Sequence, residues 1–262
     1  MNSIPGKPSS QPDLVRASPL NLLCSRMNNA RPDFSRRSRA DELMDQTEVS
    51  SDEIFSALKE LNIINAWLGG HGVTRSGLSR LIPEPEGIYR VIDFGCGGGG
   101  NLRTVHEWAE SSNVRVELTG IDLMPEAIQF SREYLSDLEH VTLIQTDYKD
   151  FQFENGEYDI ALTSLFCHHL YDDDLTTLLQ YMQRCASLGV ILNDLHRHPV
   201  AYYSIKWITK LFSKSRLIQY DAPVSVAKAF TRNEFKNALL DAGISGYSIS
   251  WHWAFRYLVT FR

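Results

Sequence analysis

Three aspartates and three histidines stand where this chain could do chemistry. Asp93 lies in "RVIDFGCGGGGN", directly before a run of glycines. Asp122 ends an apolar run in "LTGIDLMPEA", and Asp147 follows another in "LIQTDYKDF". His168 and His169 follow a fourth run in "SLFCHHL", and His196 follows a fifth in "NDLHRHP". Carboxylates attract cations and accept hydrogen bonds from hydroxyl and amino groups. Imidazole is the side chain that exchanges a proton near neutral pH. The set reads as a pocket for a cationic, hydroxyl-bearing ligand, with candidate bases beside it.

The glycines narrow that ligand. A strand ending in a glycine turn that opens a helix gathers backbone N–H groups at a positive helix end. Gly95, Gly97 and Gly100 fit the GxGxxG spacing of dinucleotide sites. In those sites the residue two before the first glycine is apolar, because it lies close to a pyrophosphate. Here it is Asp93, and a carboxylate a few ångströms from a pyrophosphate is repelled by roughly a kcal/mol or more. S-adenosylmethionine brings a sulfonium and an ammonium instead, and its one carboxylate can take the helix end. Asp122 suits both ribose hydroxyls, a role it would also fill for NAD. Asp147 can accept from the adenine amino group while the Tyr148 N–H donates to the ring. S-adenosylmethionine is the expected cofactor. The alternatives are an NAD(P)-dependent oxidoreductase and a non-catalytic binding protein.

Strand and helix signals alternate around these residues: "YRVIDF", a helix from about Gly99, "VRVELTGID", a helix from Pro125, "VTLIQ", "YDIALTS", a helix from about Asp173, and "SLGVILND". Short alternating units imply a parallel sheet wound on both faces. Thr231 and Glu234 form a capping box before Gly243, and "YSISW" and "AFRYLVTF" can close the sheet as an antiparallel hairpin. Upstream, "SSDEIFSALKELNIINAWLGG" reads as a helix capped by Ser50 and closed by Gly69 and Gly70. Residues 41–87 are the expected helical cap, and 88–262 the main domain.

The segment 196–229 interrupts the alternation. Lys206, Lys210 and Lys214 recur every four residues, with Trp207, Ile208, Leu211 and Phe212 largely off that stripe. It reads as a helix packed on the domain, as a lid over an apolar pocket, or as both, with residues 200–216 able to touch a membrane surface. Residues 1–40 are rich in Ser and Pro and are expected to be a disordered tail. Met27 as the true start and a targeting peptide are the other readings.

"VIDFGCGGGGN", "GIDLMPEAI", "QTDYKDF" and "YDIALTSLFCHHL" together resemble, in order and spacing, the cofactor motifs of class I S-adenosylmethionine-dependent methyltransferases. "SLFCHHL" resembles the motif after strand four in ubiquinone/menaquinone methyltransferases. The flanks resemble bacterial methyltransferases of polyketide and phenolic-lipid pathways, hence of secondary metabolism. The resemblance implies a Rossmann-like α/β fold with a seven-stranded, mostly parallel sheet. It maps Asp93, Gly95, Cys96, Gly97, Asp122, Leu123, Asp147, Tyr148 and Ser164 onto cofactor-contacting positions. Gly98 and Gly99 depart from it, standing where the family often has Thr and Gly.

Methylating an oxygen releases a proton, so His168, His169 and His196 are the catalytic candidates. No metal is expected. A catechol-type site needs carboxylates after strands four and five, whereas Ser164 follows strand four and Asn193-Asp194 reverses the needed order. The acids Asp172, Asp173 and Asp174 open a helix, where capping and the dipole account for them. Aromatic residues among the variable parts, Tyr202, Tyr203, Trp207 and Phe212 included, suit a small aromatic or lipophilic acceptor. A net charge of −6 disfavours nucleic acid. Scattered cysteines without a CxxC pair fit the cytoplasm.

Overall fold

The computed structural model describes residues 32–46 and 48–262. Among these residues two helices come first, α1 (Ser51–Trp67) and α2 (Gly70–Leu81). Strands and helices then alternate through β1 (Ile88–Phe94), α3 (Gly100–Ser112), β2 (Arg115–Asp122), α4 (Pro125–Tyr134), β3 (Val141–Gln145) and β4 (Tyr158–Ser164). A single 3₁₀ turn (Cys167–His169) leads to α5 (Asp172–Cys185) and β5 (Ala186–Leu195). The chain closes with α6 (Pro199–Phe212), α7 (Arg216–Lys228), α8 (Arg232–Asp241), β6 (Tyr247–His252) and β7 (Arg256–Phe261).

The sheet has seven strands in the order β3-β2-β1-β4-β5-β7-β6. The first five pair in parallel, and β7 runs antiparallel to both neighbours. Strand alternation sends Val91 into a core with α2 and α3, and Ile92 and Phe94 into a core with α5 and α8. The order reverses between β1 and β4, the switch point where open α/β sheets bind ligands. The Rossmann-like architecture and the closing hairpin are as expected. The Thr231–Glu234 capping box forms in full.

Three expectations change. Gly69 does end α1, with φ 73°, but Gly70 opens a second helix. Its sequence, GHGVTRSGLSRL, has low helix propensity. It folds because Val73, Leu78 and Leu81 are buried and Gly77 lies against the sheet, where a Cβ would stand 2.7 Å from Ile191 Cγ2. The segment after β5 is two helices, not one. The N-terminal boundary also moves: residues 1–31 of the expected tail lie outside the described residues, while Phe34 onward belongs to the packed unit. The Ser38 N–H donates to Ala227 O at 3.0 Å, and Arg197 Nε to Phe34 O at 3.1 Å.

Candidate active site

The glycine turn is tied to the end of β2. The N–H groups of Gly95 and Cys96 both donate to Ile121 O, at 2.9 and 3.0 Å. The Gly97 N–H donates to Asp122 Oδ2 and the Met124 N–H to Asp122 Oδ1, each at 2.9 Å. These bonds orient the Asp122 carboxylate and leave lone pairs for ligand hydroxyls. Leu123 stands beside it, 65% exposed. Cys96 is buried under the turn, its Sγ against Gly120. Gly95 has φ 70°, and a Cβ there would lie 2.5 Å from two ring carbons of Phe166. Glycine is therefore required twice over, by backbone and by contact. After the next strand, β3, Asp147 Oδ1 accepts from the Lys149 N–H at 2.9 Å. Tyr148 donates its hydroxyl to Asp174 O at 3.0 Å and meets the Phe166 ring edge-on.

Asp93 is buried at the switch point, and its Oδ1 has no hydrogen-bond partner among the described residues. Ser164 Oγ, at the end of β4, is likewise unpartnered. Burial, reinforced by the nearby Asp122 charge, pushes the Asp93 carboxyl well above the ordinary carboxylate range. Burial also raises Asp122, against the pull of the Met124 and Gly97 N–H groups and of His169. Two buried acids at a ligand crevice, one with an orphaned oxygen, favour a cation carrying N–H donors and oppose a pyrophosphate. The residues present thus fit S-adenosylmethionine.

The paired histidines separate into two environments. His168 is buried, its Nδ1 2.7 Å from Asp194 Oδ1 and its peptide N–H donating to Asp194 Oδ2 at 3.1 Å. Burial alone would raise the Asp194 pKa, but the His168 charge and hydrogen bonds outweigh it and hold the carboxyl below its usual value. His169 keeps 27% of its side chain exposed and stacks on Phe166 with 6.4 Å between centroids. Burial works against its protonation, yet Asp45 at 3.6 Å and Glu42 at 3.8 Å prevail and hold the His169 pKa above the ordinary value.

Glu42 and Asp45 come from the segment before α1, and sequence reasoning missed both. Asp221 on α7 fastens that segment by accepting from the Leu43 and Met44 N–H groups, at 2.7 and 3.0 Å. Arg37 adds a second tie, donating to Lys228 O and His168 O at 2.7 and 2.8 Å. Glu42, His168 and His169 each bring a ligand atom within 4.8 Å of the others, a spacing a metal could use. The Lys228 ammonium stands 3.1 Å from Glu42 Oε1, however, and already supplies positive charge there.

His196 joins a different cluster, with ring centroids 4.8 Å from Tyr257 and 5.4 Å from His198. Burial and the neighbouring His198 and Arg197 charges lower its pKa. Of Asn193-Asp194, Asn193 is structural, donating to Gly70 O at 2.9 Å, and Asp194 serves His168. The acids opening α5 pair with surface cations: Asp172 with Arg39 and Asp174 with Lys149.

Residues 91–189 match the family model described as "Methyltransferase domain". The "Ubiquinone/menaquinone biosynthesis C-methyltransferase UbiE" of Geobacter sp. (strain M21) is 26% identical over 204 residues, 73% of this chain and 82% of that protein. A SAM-dependent methyltransferase from Aquifex aeolicus superposes with a TM-score of 0.56 at 14% identity, covering 82% of this chain and 98% of that one. Human N-acetylserotonin methyltransferase, solved with SAM, superposes with a TM-score of 0.61 at 16% identity, covering 93% of this chain and 66% of that one.

Proposed function

The chain belongs to the class I S-adenosylmethionine-dependent methyltransferases, and we propose that it methylates an oxygen of a small aromatic or lipophilic acceptor, with His169 as the base. The observation that carries this reading is the setting of His169, the partly open histidine of the pair, stacked on the Phe166 ring that covers Gly95. When bound, S-adenosylmethionine supplies an electrophilic methyl on a sulfonium, open to in-line displacement. Asp93 would hold the ammonium, Asp122 the ribose hydroxyls, and Asp147 with Tyr148 the adenine edge, with Gly95, Cys96, Gly97, Leu123 and Ser164 walling the same crevice. His169 would take the acceptor hydroxyl proton. Asp45 and Glu42 stabilise the resulting imidazolium. His168, held by Asp194, is a positioning residue that fixes the turn carrying His169. His196, in its own ring cluster, drops out of the catalytic set. The buried free thiols Cys96, Cys167 and Cys185 support action in the reducing cytoplasm.

A second reading, C-methylation of a quinol-like ring, is favoured by the C-methyltransferase relative. One experiment separates the two. Transfer of labelled methyl to phenols, quinols and alkylpyrones is measured with the native enzyme and with His169→Gln. For a phenol O-methyltransferase, turnover rises with pH through a pKa above the ordinary histidine value, because the base must first be neutral. His169→Gln then loses about 10²–10⁴ in turnover and the pH limb, with cofactor affinity kept. A variant with full turnover refutes base catalysis by His169, and label on ring carbon selects the second reading.

A further inference from the structure

Helix α6 is apolar on two faces. Ala201, Ile205 and Thr209 point inward, and Ala201 and Ile205 pack with Ile64, Leu68 and Phe255. Val200, Tyr203, Trp207 and Leu211 lie on another stripe at 53%, 43%, 70% and 75% exposure, and Phe212 at the helix end is 72% exposed. Positions 200, 203, 207 and 211 recur at three- and four-residue steps, so they form one continuous line along the helix. The apolar residues expected to pack on the domain thus face outward. Trp67 and Trp253 are also exposed, at 78% and 66%. They flank the same inner cluster: Trp67 precedes Leu68, and the Trp253 ring lies 3.6 Å from the Cβ position of Gly69.

Charge distinguishes the α6 stretch from the rest of the sequence. The chain has 32 acidic residues against 26 Lys and Arg, yet none of the acids lies between Asp194 and Asp221. Lys206 and Lys210 border the stripe on the Tyr203 side, and Lys210 Nζ sits 6.0 Å from the Trp207 ring centroid. Among the described residues, Lys206, Lys210 and Lys214 form no ion pair. The acids nearest the end of α6 are engaged: Glu60 accepts from Ser213 and the Lys214 N–H, and Glu53 pairs with Arg216.

We propose that this face docks the enzyme on an anionic lipid surface, with α6 lying in the interfacial plane. Tryptophan, tyrosine and leucine enter the boundary between headgroups and acyl chains, while the lysines reach the headgroup charges. A second copy of the chain fits less well. A two-fold contact centred on α6 would set its lysines against themselves, with no acid on that stretch to answer them. The inference does not depend on the acceptor, because vesicle binding is read without turnover.

The test is co-sedimentation of the full-length protein with phosphatidylcholine vesicles, with and without about one third phosphatidylglycerol, at low and high salt, alongside sedimentation velocity without lipid. Binding should require the anionic lipid and fall with salt. Trp207→Ser with Leu211→Ser should abolish it. Lys206→Glu with Lys210→Glu should weaken it about thirtyfold or more, from the loss of two cationic contacts. Each variant should keep the native melting temperature and S-adenosylhomocysteine affinity. The lysine pair serves as the arbiter should the apolar pair misfold. Absence of binding to anionic vesicles overturns the proposal, as does binding that neither variant alters. A dimer lost in Trp207→Ser, without vesicle binding, assigns the face to a second copy instead.

Discussion

Asp221 carries a pH dependence whose sign and size follow from its position. Burial raises its carboxyl to about 7 against the opposing Leu43 and Met44 N–H groups, with Glu42 and Asp45 adding upward pressure. In the unfolded chain the same carboxyl titrates near ~3.9. Because the folded value is the higher one, the folded protein holds a proton that the unfolded chain has released between about pH 4 and 7. The associated stability is complete below about pH 4 and is lost as pH rises through about 7. Three units at ~1.4 kcal/mol each amount to ~4 kcal/mol over the full window, of which ~3 kcal/mol falls between pH 5 and 8. Asp221→Asn removes the titration and keeps one acceptor oxygen for the two N–H groups. Urea unfolding of both proteins at half-unit steps from pH 5 to 8 cancels the groups they share. The variant should gain on the native protein by about 3 kcal/mol across that range, whatever the offset at pH 5. A constant gap, or one moving the other way, refutes the assignment of a protonated Asp221 in the fold.

Two further outcomes are expected. Asp122→Ala should weaken S-adenosylhomocysteine binding by ~1.5–3 kcal/mol in calorimetry, the range for hydrogen bonds to a charged group, and unchanged affinity would remove Asp122 from the ribose. Asp194→Asn, which replaces the carboxylate that accepts from the His168 and Leu195 N–H groups and faces His168 Nδ1, should destabilise the protein by about 1–3 kcal/mol in the same urea assay.

What could be read from the sequence divides along the cofactor itself. The crevice that fits S-adenosylmethionine is built from strand ends and the turns directly after them. Asp93, the Gly95–Gly97 turn, Asp122 and Asp147 are therefore visible as local pattern, since each lies within a few residues of an alternating or apolar run. The capping box at Thr231 and the final hairpin are legible for the same reason. The His169 side is assembled differently. Glu42 and Asp45 belong to a segment without periodicity, and they reach His169 only because Asp221, far along the chain, holds the Leu43 and Met44 backbone. Asp194 had a readable position at the end of β5, but its partner had to be found among several histidines. On α6, periodicity reveals apolar stripes without saying which one the domain covers. Helix α2 was hidden because packing on the sheet, not propensity, makes it.

That division has a chemical consequence. The cofactor brings a fixed set of hydroxyl, amino and cationic groups, and acceptors at strand ends and local turns can meet them. In the proposed O-methylation the acceptor's proton goes to a group whose basicity its neighbours set. For the proposed base His169, the carboxylates that raise basicity are Asp45 and Glu42, on a segment outside the sheet, opposed by Lys228 of α7 at 3.4 Å from Nδ1. Exchanging that segment would alter the basicity and surroundings of His169 without disturbing Asp93 or Asp122. Acceptor preference should therefore follow residues 34–46 and the helices they touch, while cofactor affinity stays with the strand ends. A chimera carrying a relative's segment at this position tests it. Changed acceptor preference at constant S-adenosylhomocysteine affinity is the expected result, and an equal loss of both would show that the two halves of the site are not separable.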